Sequence, residues 1–577
     1  MKGKRLFAAL TLGIVALMIL SACGPASPGV TPEATVPPTP TPEAAVPTSP
    51  PPEAAAPVTL RIGWAGAPDS LNPGAGYLSE AYIIYELAYD AMVGIDLSNK
   101  YYPRLAESWE VSDDDKTWTF HLRQDVKFHD GIPFTAEDMA FSINLYKDHG
   151  AFGYLSDYTT SFESVEATDD HTLVIHLTGP VGNIEYLVLY LYALPKHIWE
   201  PLAADSEGVV TFENKEMIGT GPFKMADYRT NEFVKLVANP DYFMGAPKVD
   251  EVVFQTYANP DAVVQALRGG EVDMVTELPS TLVPTLRTES NITLVIGDER
   301  SLRDIIFNVL DPANCPKDEG GVCSGHPALR DKQVRLALAH AINKEQLITV
   351  ALNGLGTPGT GLIPPSLGEW YNSEIQDYPF DLEKAKQILE DAGYKDTNGD
   401  GIRETPDGQP VEFRFLIPSD ILSGPREAEM ISSWWREIGV EATPQVLEPD
   451  TVTQRCCPAF DYDVLMWGWG SDPDPNLMLS ILTSEEIPTG LSESGYSNLE
   501  YDKLYADQLV AVDHEQRRTL IWRMQEIMHE DLPYIIPFYT QAVQAYRNDR
   551  FKGWVVVEGG YTHLPDPLSL RTVEPVQ

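Results

Sequence analysis

The chain is 577 residues long, 43% hydrophobic and 22% charged, with 41 basic against 85 acidic residues and a formal charge of −44. That length supports two or three domains with sizeable cores. The shortage of Lys and Arg argues against a nucleic-acid partner, because phosphate binding needs them clustered.

Lys2, Lys4 and Arg5 precede an apolar run from Leu6 to Leu20 that ends in "LSAC", Leu20 to Cys23. The run is shorter than the roughly 20 residues of a membrane span, and Ser21 and Ala22 suit a peptidase, so residues 1–23 read as a signal peptide. The pattern resembles that of bacterial lipoproteins, which implies lipidation of Cys23 and a body held at the extracytoplasmic face of the cell membrane. Residues 24–57, with "PPTPTPEAAVPTSPPPEAAAP" at their heart, hold no aromatic residue and no long aliphatic one except valine. They are predicted to form a disordered, proline-stiffened tether rising roughly 3 Å per residue where polyproline II persists.

The body opens with an alternating strand, Val58 to Ile62, and a Gly/Pro/Asn loop that ends at Tyr77, a candidate ligand contact. In "TWTFHLRQ", Trp118, Phe120 and Leu122 alternate with polar residues, the period of a half-buried strand. Thr135 and Asp138 are spaced as a capping box for a helix whose Met139, Ile143 and Tyr146 share one face. A boundary at Gly219 to Pro222 is followed by strands at Phe233 to Ala238 and Val252 to Tyr257, and by a helix from Pro260 to Arg268 stopped at Gly269-Gly270. "RDKQVRLALAHAINKEQLI" reads as one helix and "DLEKAKQILEDAGY" as another, with Leu382, Ala385, Leu389 and Ala392 aligned. Strands and helices alternate, which sets an α/β or α+β class.

Cysteine usage fits an exported protein. Cys315 and Cys323 flank the loop "CPKDEGGVC", and a bridge there would stabilise by about 2 to 3 kcal/mol on the chain-entropy model. Cys456 and Cys457 are adjacent, and no Cys-x-x-Cys or Cys/His spacing points to structural zinc.

"PRLAESWEVSDDDKTWTFHLRQDVKFHDGIPFTAEDMAFS", "GTGPFKMADY", "ANPDYF", "LRGGEVDM", "VRLALAHAIN", "GLGTPG" and "YDVLMWGWGSDPDP" follow one another in the order found in the large solute-binding proteins of peptide/nickel-type ABC importers, family 5. From about residue 58 to the end the chain resembles this family. The resemblance implies a type II periplasmic-binding-protein-like fold of three lobes that closes by a hinge. Lobe I would take about 58–100, 214–302 and 537–577, lobe II about 101–213, and lobe III about 303–536. It implies a monomeric receptor that captures a di- or oligopeptide between lobes I and III and passes it to ABC-transporter permease subunits, without chemistry. An oligosaccharide is the alternative ligand, and a secreted hydrolase the distant alternative function.

Motif chemistry supports no enzyme. "GLGTPG" lacks the strand before it and the helix after it that a nucleotide site needs, and no nucleophile elbow or metalloprotease helix occurs. The stretch "DTNGDGIRETPD" has the offsets of a calcium loop, with Asp396, Asn398, Asp400, the carbonyl of Ile402, Glu404 and Asp407 as candidate ligands to a structural Ca2+. No other cofactor is expected.

In "WGWGSDPDPN", Ser471 to Asn476 is predicted to be a loop after a short strand, Val464 to Met466. In peptide receptors of the family an aspartate three residues after a tryptophan pairs with the peptide's α-ammonium. Trp469 and Asp472 occupy that pattern, with Trp467 as a second flat wall and Asp474 as the reserve carboxylate.

Overall fold

The computed structural model describes residues 56–149, 152–558 and 560–576. The signal peptide, Cys23 and the tether up to residue 55 lie outside the described residues. The chain divides into Met1–Ala56 and a body, Pro57–Gln577. Among the described residues no helix is long and apolar enough to cross a membrane.

A mixed sheet organises the body. Thr59–Trp64 buries Leu60 and Ile62 and pairs in parallel with Glu251–Thr256. Phe233–Ala238 and Phe223–Arg229 extend this group antiparallel to its edge. Glu412–Pro418, Glu441–Leu447 and Val464–Gly470 form a second group. Two long antiparallel strands, Ile292–Phe307 and Tyr534–Arg547, join the groups through the centre of the sheet. Their ladder loses register between Asp298 and Leu302, so Ile292 to Asp298 pairs with Gln541 to Arg547 while Leu302 to Ile306 pairs with Tyr534 to Tyr539. A bulge of this kind bends and twists the strand pair locally. On the C-terminal side of the break, Ile305 and Phe307 enter one core layer, and Leu302 and Ile306 enter the other.

A separate antiparallel sheet runs Ala106–Val111, Thr117–Leu122, Thr172–Leu177, Phe162–Asp169 in spatial order. The helix Ala136–Asp148 starts at the expected capping box, where the Thr135 amide donates to Asp138 Oδ2 at 3.0 Å. It buries Met139, Ile143 and Tyr146.

Two local readings change. The helix expected across residues 330–348 is two helices, Lys332–His340 and Lys344–Ala351, because Asn343 caps the second through the Gln346 amide at 2.9 Å. The strand at Val464 continues to Gly470, so Trp467 and Trp469 are strand residues opposite Asp304 and Leu302. Gly468 permits this close pairing, since a Cβ there would stand 2.7 Å from the Leu302 carbonyl oxygen. Cys315 and Cys323 are disulfide-bonded, and so are Cys456 and Cys457 to each other.

Candidate functional site

A cavity of about 970 Å³ lies at the break in the central ladder. Glu299, Arg300 and Arg303 line it from one long strand, and Thr540 to Gln544 from the other. The helix Ser79–Ala88 turns Ser79, Tyr82, Ile83 and Glu86 to the cavity, a spacing of three and four residues that puts them on one face. Tyr77, exposed at the mouth, is also a wall residue, as are Tyr154, Tyr190, Glu277, Tyr561 and His563.

The charges in this cavity differ in how they are engaged. Arg303 donates to the Trp467 carbonyl at 2.8 Å and stands 3.3 Å from the buried carboxylate of Glu427. Arg300 lies over the Tyr561 ring at 4.4 Å, and its guanidinium has neither a hydrogen-bond nor an ion-pair partner among the described residues. Burial pushes Glu86 up to about 7, against the pull of Arg104 and Arg300. His563 is driven down to about 4 by burial, so it stays neutral at physiological pH.

A group of tyrosines stands between this cavity and the loop after the second tryptophan. Tyr82 meets Tyr154 and Tyr190 edge-on at 6.0 and 6.1 Å, and Tyr158 meets Tyr154, Tyr186 and Tyr190. The Tyr158 hydroxyl bonds Tyr154 at 2.9 Å and Tyr186 at 3.3 Å, and Tyr186 reaches Asp472. Asp472 is half-buried, and its carboxyl is raised first by desolvation and then by Asp474, with Tyr186 and Arg300 opposing. It is not itself a wall of the cavity, and neither are Trp467 and Trp469. Both tryptophans are half-buried against the core layer of Leu302 and Tyr462, and the Trp469 indole donates to Glu493 at 3.1 Å.

Asp474 cannot serve as the reserve ligand carboxylate. Arg517 grips it in a bidentate pair at 2.6 and 2.9 Å, and each side chain is 2% exposed. Arg517 also donates to Gln508 at 3.1 Å and stacks over Trp370 at 4.9 Å. Together with the Asn99 amide, which donates to the Pro473 carbonyl at 2.9 Å, this pair fixes the loop that carries Asp472.

Behind the tryptophans lies a buried carboxyl pair that sequence reading missed. Asp304 is fully buried with no hydrogen-bond partner on either oxygen. Burial, and then the neighbouring Glu493, push it well above the usual carboxylate range. Glu493 accepts from Trp469 and Tyr534, bonds that favour its ionised form, whereas Asp304 accepts none, which puts the pair's proton on Asp304. A carboxyl whose folded pKa exceeds its unfolded value binds its proton more tightly when folded. Stability therefore falls as pH rises from the unfolded pKa towards the folded one. Asp304→Asn mimics the protonated state, so the variant is expected to exceed the wild type in urea midpoint at neutral pH, with the difference shrinking below about pH 4. A variant less stable at neutral pH, with the deficit closing in acid, would show that Asp304 is ionised and paired.

The predicted metal loop is brought together in part. Asp396, Asp400 and Glu404 each place an oxygen within 4.8 Å of the others, a grouping able to hold a metal ion. Asn398 lies among them, its amide nitrogen 3.0 Å from Asp400 and 2.8 Å from Glu404. Ile402 donates its amide to Asp400 at 2.8 Å. Asp407 does not join, because Glu404 bridges to Lys395 and Pro410 and carries the chain into a turn where Asp407 accepts from Thr405 instead.

The sequence profile of bacterial extracellular solute-binding proteins, family 5, matches residues 100–488. The chain is 31% identical over 446 residues to the oligopeptide-binding protein AppA of Bacillus subtilis, covering 75% of this chain and 77% of the relative. It is 28% identical over 522 residues to heme-binding protein A of Haemophilus influenzae, covering 86% of this chain and 88% of the relative. The structure of HbpA2 from Haemophilus parasuis superposes with a TM-score of 0.75 at 26% identity, covering 90% of this chain and all of that one. The fold is the bilobed type II periplasmic-binding-protein fold, and the profile describes proteins that bind solutes without transforming them. On the extent of these matches, the chain belongs to the bacterial extracellular solute-binding proteins of family 5.

Proposed function

We propose that this protein is an extracytoplasmic receptor for a small peptide, which it encloses in the cavity at the ladder break and delivers to the permease of an ABC importer. The observation that carries this reading is that one cavity holds both an arginine without a hydrogen-bond or ion-pair partner among the described residues, Arg300, and a buried carboxyl, Glu86. A peptide offers a carboxylate and an ammonium together, whereas an oligosaccharide offers neither. Desolvated charges left without partners are unfavourable, so a zwitterion is the ligand these walls accommodate best.

The ladder break gives closure a place to act. Two sheet groups meeting at Glu299 to Ser301 can rotate about it, and a ligand touching both shifts the ensemble towards the closed form by its difference in affinity for the two states. We place the boundary of a third lobe, about 303–536, at the same break. A tryptic digest of casein is expected to raise the melting midpoint and a mixture of maltooligosaccharides to leave it unchanged. The reverse outcome moves the ligand to sugars.

The anchor belongs to the same proposal. The basic residues, apolar run and "LSAC" support lipidation of Cys23 and attachment at the outer face of the cell membrane. Palmitate labelling lost in Cys23→Ala tests it.

For the loop of Asp396, Asp400 and Glu404 we propose a structural calcium, held by oxygens of these three with Asn398 turned to present its own. Calcium at a hundredfold excess over Kd is expected to add about 2.7 kcal/mol of stability, and Asp400→Ala to abolish the response. Identical melting with chelator and with calcium would contradict it.

A further inference from the structure

We propose that the cavity selects peptides that carry a basic side chain, whose cationic group lies between Glu86 and the rings of Tyr82 and Tyr190. This deepens the peptide reading above and rests on it.

The inference follows from which wall charges are free. Among the acidic walls, Asp96 accepts the amides of Ser98 and Lys100, and Asp566 caps Ser569 at 3.0 Å. Glu299 accepts from Ser301 and Thr540, and Glu80 from Ser79. The carboxyls of Glu86 and Glu277 have no hydrogen-bond or ion-pair partner among the described residues, although the Glu86 carbonyl accepts from Arg104 at 3.1 Å. Among the described wall residues one cation is unengaged, Arg300, since Arg303 is held by Trp467 and Glu427. A peptide backbone brings one carboxylate and one ammonium, which Arg300 and Asp472 balance, Asp472 lying near enough to feel the Arg300 charge. An acidic wall is left over, and a Lys or Arg side chain is the group that balances it.

The geometry around Glu86 suits a cation. Tyr82 stands one helical turn before it, and the Tyr82 and Tyr190 rings meet at 86°, forming a corner with aromatic faces. Cations bind such faces, more strongly where water is excluded. The Tyr82 hydroxyl is buried without a partner, so the corner has a further polar atom to offer.

The groups around Glu86 are Arg104, Arg300, Asp566, Tyr190, Tyr192 and Tyr561. With Glu86 at about 7, an arriving cation draws it to the ionised form and releases a proton. Affinity for a basic peptide is therefore expected to rise between pH 6 and pH 8 relative to a neutral one.

Calorimetry with three pools of alanine-frame tetrapeptides, in which lysine, norleucine or glutamate takes any one position, tests the inference. The lysine pool is expected to bind about tenfold more tightly than the norleucine pool, with proton release visible as a buffer-dependent heat. Glu86→Gln should bring the lysine-to-norleucine ratio close to one, and Glu277→Gln, on the exposed side, should reduce it. Equal binding of the two pools by the wild type, or a ratio unchanged in both variants, overturns the inference while leaving the peptide reading intact. Failure of every pool overturns both.

Discussion

Arg517→Ala is expected to lower the unfolding free energy by about 3 to 5 kcal/mol, the range for removing one partner of a buried ion pair. Asp474 would be left charged at 2% exposure with nothing to replace two charge-assisted hydrogen bonds. The stacking on Trp370 and the bond to Gln508 would be lost as well. Replacing both partners, Asp474→Leu with Arg517→Met, should cost much less, because neither charge is then stranded. Urea unfolding of the two proteins separates these outcomes. A loss below about 1 kcal/mol in Arg517→Ala would place the pair in the class of solvent-screened surface bridges.

Asp472→Asn is expected to weaken peptide binding by about 2 to 5 kcal/mol, with N-acetylation of the peptide costing a comparable amount. An α-ammonium, with a pKa of roughly 8, is charged at neutral pH and needs a carboxylate once closure removes its water. Asp472 is already raised by desolvation and by Asp474, so an arriving cation stabilises its ionised form. The loop is held in place by Arg517 and Asn99, which limits the order that binding must impose. Calorimetry of both proteins with free and acetylated peptide closes a double-mutant cycle. Losses that simply add would show that Asp472 and the amine do not meet, leaving Tyr186 as the partner Asp472 is built for.

Reading by local pattern succeeded where one element decides its own structure. The capping box at Thr135, the alternating strand at Thr117–Leu122 and the glycine stop at Gly270 are each set by a few neighbouring residues. It failed where distant segments decide. Gly468 and Gly470 look like turn formers, yet pairing with Ser301 to Arg303 draws them into a strand. Asp474 and Asp472 are alike in sequence, and only Arg517, on a helix far along the chain, distinguishes the buried structural carboxylate from the other. Tyr77 was named from the sequence, and a further signal for the cavity lay unread in the three-and-four spacing of Ser79, Tyr82, Ile83 and Glu86, with a carboxylate on a largely apolar helix. Arg300 had no such signal, because its significance comes from the register break beside it.

The cavity at this break is proposed to hold a peptide. Native mass spectrometry of the protein purified with its ligand, followed by denaturation and fragmentation of what is released, addresses it most directly. The expected result is an added mass that fragments as a short peptide chain, enriched in lysine or arginine. Release of haem or of a neutral oligosaccharide would contradict it.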